Sequence, residues 1–271
     1  MLYQNKLNYK SLTFLVAGGT GFVGQAIVKK LLFKGAKVRA TYFSSTPSFS
    51  HSKLDWIYAN LTVAEDCNKV VKNVDIVIIA AAVTSGAKDI VNNPLMHVTP
   101  NIVINSQLLA SSYDESIKKV LFISSAAAYP NLGQKLLNED DMMKADPEDV
   151  YFAAGWMKRY SEILCYTYSK KIKKPMPTVI VRPTNIYGPG DKIDWNKSHV
   201  TAATIRKVVE RHQPIEVWGD GEDVRDLIFI DDFIDGTLLS LESSIDFLNV
   251  NIGSGTSYTI NKILDLTIKL D

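Results

Sequence analysis

A glycine-rich turn near the N-terminus constrains the fold of this 271-residue chain more than any other feature. Residues 12–17 form a short apolar run, and residues 18–24 then read Gly-Gly-Thr-Gly-Phe-Val-Gly. Apolar residues at 27, 31 and 32 follow with helical spacing. A strand, a glycine turn and a helix in this order place backbone N–H groups where a pyrophosphate can bind. The pattern predicts a dinucleotide-binding unit, although a purely structural turn could use the same glycines.

The residues of this turn have separate predicted roles. Gly18 and Gly21 would allow a tight turn and a close approach to phosphate, and Gly24 would let the helix pack on the sheet. The predicted cofactor-binding residues of the turn are Gly18, Thr20, Gly21, Phe22, Val23 and Gly24.

Strands and helices alternate along the chain. We predict strands at 37–42, 56–59, 75–80, 120–124, 178–182, 227–230 and 247–252, and helices near 64–73, 100–114 and 150–171. The alternation indicates an α/β fold, a Rossmann-type doubly wound parallel sheet. Prolines and glycines become frequent after residue 182, which predicts a dinucleotide-binding domain at 1–182 and about 227–250 and a smaller substrate-binding lobe at 183–226 and 251–271. The sequence stops within a helical pattern, so we expect that lobe to be truncated.

Composition argues against several classes of protein. The formal net charge is +1 with both signs interspersed, which gives no surface for nucleic acid or an anionic membrane. The longest apolar run, 76–83, is too short to span a bilayer, and the N-terminus lacks the apolar core of a secretory leader. Cys67 and Cys165 lie in predicted helices, and we expect buried thiols in a reducing cytoplasm. We expect no metal site.

A second motif follows the pair Ser124-Ser125 by about thirty residues, where residues 154–162 read Ala-Gly-Trp-Met-Lys-Arg-Tyr-Ser-Glu. In a Ser/Tyr/Lys triad, a tyrosine phenol exchanges a proton with the substrate oxygen. A lysine four residues later lies on the same helical face and lowers the cost of the phenolate. Lys158 fits that lysine, but Ala154 occupies the tyrosine position. The motif indicates an oxidoreductase site without its acid/base group.

Four ordered motifs resemble the extended short-chain dehydrogenase/reductase family, the NAD(P)-dependent nucleotide-sugar epimerases, dehydratases and reductases. They are the glycine turn, Ser124-Ser125 with Tyr129-Pro130, the Lys158 helix, and Arg-Pro-Thr-Asn-Ile-Tyr-Gly-Pro at 182–189. The similarity covers almost the whole chain and implies a homodimer. The segments at 183–189, 198–200 and 217–232 are most similar to epimerase-reductases of GDP-linked 4-keto-6-deoxy sugars.

The resemblance implies catalytic roles for Ser125 and His199. The Ser125 hydroxyl would bond the reacting sugar oxygen, and His199 would exchange protons at an epimerised carbon. Family dehydratases carry Asp-Glu after the hydroxyl residue, whereas this chain has Ala126-Ala127, so sugar dehydration is not expected. Ala127 also occupies the position of a cysteine used in double epimerisation. Reduction alone, or epimerisation at one carbon, remains open, as does a structural role for His199.

The resemblance also implies residues that contact the two ligands. Further cofactor-binding positions are Tyr42, Asn60, Leu61, Ala80, Ala81, Ala82, Lys158, Pro183, Thr184, Asn185 and Ile186. Substrate-binding positions are Thr84, Ser85, Ser125, Asn185, His199, Lys207, Trp218 and Arg225. Trp218 would stack on a base, unless it is a core aromatic, and Arg225 would pair with the diphosphate. NAD-binding folds usually place an acid where this chain has Tyr42, which favours NADP and leaves NAD as the alternative.

Ala154 has two explanations. It is either an introduced substitution that inactivates the site, which the survival of Ser125, Lys158 and the glycine turn favours, or a tyrosine lost in evolution. Two further hypotheses follow for the function. One is an NAD-dependent nucleotide-sugar 4-epimerase, and the other is a catalytically silent NAD(P)-binding sensor or interaction protein.

Overall fold

A computed structural model describes residues 7–84, 93, 95–133, 136–194, 198, 200–217 and 219–270. A seven-stranded sheet dominates it, with all neighbouring strands parallel. Its strands are β1 (Thr13–Ala17), β2 (Lys37–Tyr42), β3 (Leu54–Tyr58), β4 (Ile76–Ile79), β5 (Lys119–Ile123), β6 (Thr178–Pro183) and β9 (Phe247–Ile252). Their order across the sheet is β3-β2-β1-β4-β5-β6-β9. The order reverses beside β1, which leaves a crevice for ligands at the carboxyl ends of the strands.

Helices cover both faces of this sheet. The described helices are α1 (Phe22–Phe33), α2 (Ala64–Val70), α3 (Leu95–Asp114), α4 (Phe152–Lys170), α5 (Val200–Val209), α6 (Ile230–Leu241) and α7 (Ile260–Ile268). Buried side chains of α1 and α6 pack on one face of the large sheet, as Leu31 and Phe233 do. Side chains of α2, α3 and α4 pack on the other face, as Cys67, Leu108 and Cys165 do. This arrangement confirms the predicted Rossmann-type doubly wound sheet.

A second, three-stranded sheet lies beyond the end of β6. Its strands are β7 (Asn185–Tyr187), β8 (Val224–Phe229) and β10 (Ser257–Thr259), in the order β10-β8-β7. β8 runs parallel to β7 and antiparallel to β10. The predicted domain boundary between residues 226 and 227 lies inside β8, and the whole of this strand belongs to the smaller sheet. The division of the chain into two domains otherwise stays a prediction.

Most predicted elements lie within one or two residues of their observed bounds. The clearest difference is α3, which begins at Leu95 and has Pro100 inside it. Cys67 and Cys165 are buried free thiols in α2 and α4, as expected. Within the described residues, no helix is long and apolar enough to cross a membrane, and no cluster of histidine, cysteine and carboxylate side chains forms a metal site.

Candidate active site at the carboxyl edge of the sheet

The glycine turn after β1 is packed against the loop that follows β4. Gly18 has a φ of +84°, and a Cβ on it would lie 2.6 Å from the Cα of Ala81. Glycine alone fits this left-handed, close-packed position. The Gly18 N–H donates to Thr41 Oγ1 at 2.8 Å, which ties the turn to β2 as well. Two predicted cofactor-binding loops, 18–24 and 80–82, are thus in contact.

The N-terminus of α1 offers free backbone donors to a ligand. Gly21 is its exposed N-cap residue, and no side chain in the described part of the chain caps the helix. A Cβ on Gly190 would lie 3.8 Å from the Phe22 ring, so the segment after β7 borders the same turn. Uncapped N–H groups at a helix N-terminus favour a phosphate. The turn therefore fits the pyrophosphate of a dinucleotide.

The serine pair is held at the end of β5. Ser125 caps the short turn at 126–128, and its Oγ accepts a hydrogen bond of 3.1 Å from the Ala127 N–H. Its hydroxyl proton remains able to point at another acceptor. Ser124 is buried and donates instead to a carboxylate oxygen of Glu162. The two adjacent serines therefore have different partners, and Ser125 is the half-buried one at the edge of the crevice.

Helix α4 brings the lysine to the same strand end. The Lys158 Nζ donates to the Ile123 backbone oxygen at 2.9 Å and lies 4.9 Å from the centre of the Phe122 ring. Burial lowers the pKa of Lys158 to about 8, although the charge of Glu162 opposes this. Positions 154, 158 and 162 follow one another at helical spacing, so Ala154 shares this face of α4. The helix thus presents the lysine and a methyl group where a triad would present a lysine and a phenol.

Two contacts fix α4 against the short turn at 126–128 that Ser125 caps. A Cβ on Gly155 would lie 2.6 Å from the Ala127 backbone oxygen and 2.5 Å from Pro147 Cβ, so only glycine allows this approach. One helical turn later, the buried Arg159 donates through Nε to the Ala128 oxygen at 2.8 Å. Gly155 and Arg159 directly follow the site positions 154 and 158 in the sequence. These two neighbouring residues therefore fix the position of α4 relative to the turn at 126–128.

A buried ion pair supports the same corner. Arg182, at the end of β6, bonds Glu162 through Nη2 at 2.7 Å and Nε at 3.0 and 3.2 Å. Burial lowers the pKa of Arg182, but its bonds to Glu162 outweigh this and leave the pKa raised. Arg182 Nη1 also donates to the Tyr129 hydroxyl at 2.8 Å, which in turn donates to Asn251 Oδ1 at 2.6 Å. The network joins α4 to the ends of β5, β6 and β9.

The predicted cofactor-binding positions after β2 and β3 carry aromatic and amide side chains. Tyr42 packs edge-on against Tyr58 and Trp56, with ring centres 5.7 and 6.5 Å apart. The Asn60 Oδ1 accepts from the Thr62 hydroxyl at 2.7 Å. Arg39 points away from these positions and donates to carbonyls at the end of α2. It is therefore not placed to meet a 2′-phosphate.

The remaining predicted residues have partners of their own. Thr84 accepts from Lys192 Nζ at 2.8 Å, and Lys207 Nζ donates to the Glu216 oxygen at 2.6 Å. Arg225 Nη2 donates to Asp223 Oδ2 at 3.1 Å. Ala80, Ala81 and Ala82 follow β4, Leu61 is buried after β3, and Pro183, Thr184, Asn185 and Ile186 run from β6 into β7. Three predicted positions, Ser85, His199 and Trp218, lie outside the described residues.

Several residues that shape the site were not predicted. Glu162 lies one helical turn after Lys158, but the sequence alone does not predict its bonds to Ser124 and Arg182. A charged residue that ends an apolar strand, as Arg182 does, was the available signal, because a buried charge requires a partner. Gly155 gave no comparable signal.

Comparison with known proteins identifies the family. Residues 14–253 match the model of the NAD dependent epimerase/dehydratase family. The chain belongs to this family. It is 28% identical over 270 residues to GDP-L-fucose synthase 1 of Arabidopsis thaliana, covering 97% of this chain and 79% of that protein. It is 29% identical to GDP-mannose 3,5-epimerase of the same plant, covering 97% and 70%.

A solved structure supports the same fold. The UDP-glucose 4-epimerase of Thermotoga maritima, in complex with UDP-glucose, superposes with a TM-score of 0.84 at 24% identity, covering 96% of this chain and 82% of that one. The two curated relatives are named for different GDP-linked sugars, so membership of the family supports a nucleotide-sugar epimerase or reductase without selecting one substrate.

Proposed function

We propose that this chain is an NADP-binding nucleotide-sugar epimerase/reductase whose catalytic tyrosine position is occupied by Ala154. The observation that carries the proposal is the position of Lys158, which donates to the end of β5 on the helical face that it shares with Ala154. Ser125 lies at the same strand end. Two members of a Ser/Tyr/Lys triad are thus supported by this geometry, and the third is an alanine.

The remaining groups would bind and orient the ligands without supplying the proton. The turn at 18–24 would hold the pyrophosphate, and Lys158 would place a positive charge beside the nicotinamide ribose. A nicotinamide cofactor bound between these residues would supply or accept the hydride. Ser125 would donate a hydrogen bond to the reacting sugar oxygen. A methyl group at 154 cannot exchange a proton, so we propose binding without efficient conversion.

NADP is the proposed cofactor, with NAD as the alternative. Tyr42 stands at the end of β2, where an acid would repel a 2′-phosphate. The support is this missing carboxylate alone, because Arg39 bonds the end of α2.

A GDP-linked 4-keto-6-deoxy sugar is the proposed substrate class. Support comes from similarity to GDP-L-fucose synthase and to a GDP-mannose epimerase, each over almost the whole chain. Arg225 is the proposed diphosphate contact, together with Lys207. Ser85, His199 and Trp218 are proposed contacts from sequence resemblance.

We also propose a homodimer formed through a surface that includes α4. The outer face of α4 exposes Phe152, Trp156 and Ile163, which is a large apolar surface for a helix in water. Sedimentation as a monomer at high protein concentration would contradict this proposal. Two buried free thiols suit a reducing compartment, and the proposed location is the cytoplasm. Recovery of the protein from an oxidising compartment would contradict it.

A silent binding protein is the second candidate, and Ala154 is the observation that favours it. Both candidates predict cofactor binding, and titration calorimetry with NADPH and GDP-mannose separates them. The enzyme proposal expects saturable binding of both ligands to the chain as it stands. Binding of NADPH with no response to any GDP-linked sugar would favour the silent protein instead.

A further inference from the structure

Asp226 of β8 joins the two sheets at the edge that carries the candidate site. Its Oδ1 accepts hydrogen bonds from Thr184 Oγ1, Ser254 N and Ser254 Oγ, each at 3.0 Å. Its Oδ2 accepts from Gly255 N at 2.9 Å. Thr184 follows β6, and the other two residues follow β9. One carboxylate of the small sheet therefore holds two loops of the large sheet.

The main chain around Asp226 is closely packed. Asn185 Nδ2 donates to the Asp226 backbone oxygen at 3.1 Å, and Asp226 pairs with Ser257 between β8 and β10. A Cβ on Gly253 would lie 2.8 Å from Thr184 Cγ2 and 3.0 Å from Asp226 Oδ2. The loop after β9 thus has no room to move toward the carboxylate.

The position of β8 determines where Arg225, the residue before Asp226, lies. Successive side chains of a strand point to opposite faces. Asp226 faces the loops of the large sheet, and the guanidinium of Arg225 lies near the surface beside Asp223. Fixing Asp226 therefore fixes the strand from which Arg225 would reach a diphosphate.

We infer that Asp226 is a positioning residue, which sets the distance between the dinucleotide-binding edge and the nucleotide-sugar side of the crevice. This inference rests on the proposed function. A carboxylate forms stronger hydrogen bonds than a neutral group, and four of them converge here. Its loss would loosen the small sheet against β6 and β9. Of the proposed cofactor contacts, Thr184 and Asn185 bond Asp226 directly, whereas the Gly18 N–H of the glycine turn, which follows β1, bonds Thr41 of β2. Loss of the carboxylate should therefore weaken cofactor binding less than sugar binding.

The test compares Asp226→Asn with the unmodified chain. Because one oxygen becomes an NH2 group, either the Gly255 N–H or the three donors at Oδ1 lose their acceptor. Asp235→Asn is the matched control, since it removes an exposed carboxylate whose partner is Lys30 at 2.6 Å. Calorimetric titrations with GDP-mannose and with NADPH are run on all three proteins, and thermal melting monitors the fold.

Asp226→Asn is expected to weaken GDP-mannose binding about tenfold and NADPH binding less than about threefold. Asp235→Asn is expected to change neither. Unchanged GDP-mannose binding by Asp226→Asn would overturn this inference alone. Equal losses for both ligands would also overturn it, because they would indicate general loosening of the fold. If the unmodified chain binds neither GDP-mannose nor any other GDP-linked sugar, the proposed function fails and the inference fails with it.

Discussion

The ammonium of Lys158 donates a 2.9 Å hydrogen bond to the backbone oxygen of Ile123, the last residue of β5. This bond anchors the centre of α4 to the strand end that carries Ser125. It also holds the positive charge of a half-buried side chain at a point where burial lowers the pKa of the lysine to about 8 from the ordinary 10.5.

The first prediction concerns the pH dependence of stability. Between pH 8 and 10.5 the unfolded chain binds more protons at Lys158 than the folded chain, so this residue makes stability rise with pH there. Below pH 8 the cost of burying the charge is fully present. Lys158→Met should therefore remove roughly 1–2 kcal/mol of the stability rise between about pH 7.5 and 9.5. Urea denaturation at both pH values checks this, and Lys170→Met, at the end of the same helix, should keep the original dependence.

The second prediction concerns the ion pair between Glu162 and Arg182. Glu162→Gln leaves a buried guanidinium without its countercharge, which we expect to cost about 3–5 kcal/mol of unfolding free energy. Breaking the exposed pair of Lys30 and Asp235 with Asp235→Asn should cost less than about 1 kcal/mol. Chemical denaturation of the two variants measures both. Similar losses would mean that the buried pair contributes no more than a surface pair.

The strands of the large sheet could be predicted because their signal is local. The apolar runs of β4 and β6 are buried along their whole length, as expected for a parallel sheet covered on both faces. The position of Lys158 was also predictable, since its four-residue spacing from position 154 is a property of any α-helix.

The supports of the site could not be predicted in the same way. The bond from Arg182 to Glu162 spans 20 residues, and that from Thr184 to Asp226 spans 42. Such pairs depend on how separate elements meet, which local periodicity does not encode. The strand at 224–229 was predicted only from residue 227, because its first three residues pair with β10, which lies much later in the sequence.

The third prediction separates cofactor binding from folding at the glycine turn. A Cβ on Gly21 would meet only the Gly18 oxygen, at 3.4 Å, so Gly21→Ala should change the free energy of unfolding by less than about 0.5 kcal/mol. The same methyl group would lie at the uncapped N-terminus of α1, and NADPH affinity should fall at least about tenfold. Gly18→Ala, at a φ of +84°, should lower both stability and affinity. Unchanged NADPH affinity in Gly21→Ala would contradict binding of the pyrophosphate at this turn.

The fourth prediction concerns cofactor choice. Tyr42→Asp places a carboxylate beside the expected 2′-phosphate and should shift the ratio of NADPH to NADH affinity toward NADH by about tenfold or more. Tyr42→Asn is the matched control without a charge, and it should retain the preference for NADPH. Calorimetry with both cofactors gives the ratios. Tighter NADH binding by the unmodified chain would reverse the assignment.

The most direct measurement is turnover of a GDP-4-keto-6-deoxyhexose with NADPH, following both cofactor oxidation and sugar product. The unmodified chain should bind the sugar and convert it near the background rate. Ala154→Tyr should raise the rate by about 10²–10⁴-fold, and adding Lys158→Met to that variant should abolish the gain. Full turnover by the unmodified chain, or no turnover by a folded Ala154→Tyr variant that binds both ligands, would contradict the assignment of position 154.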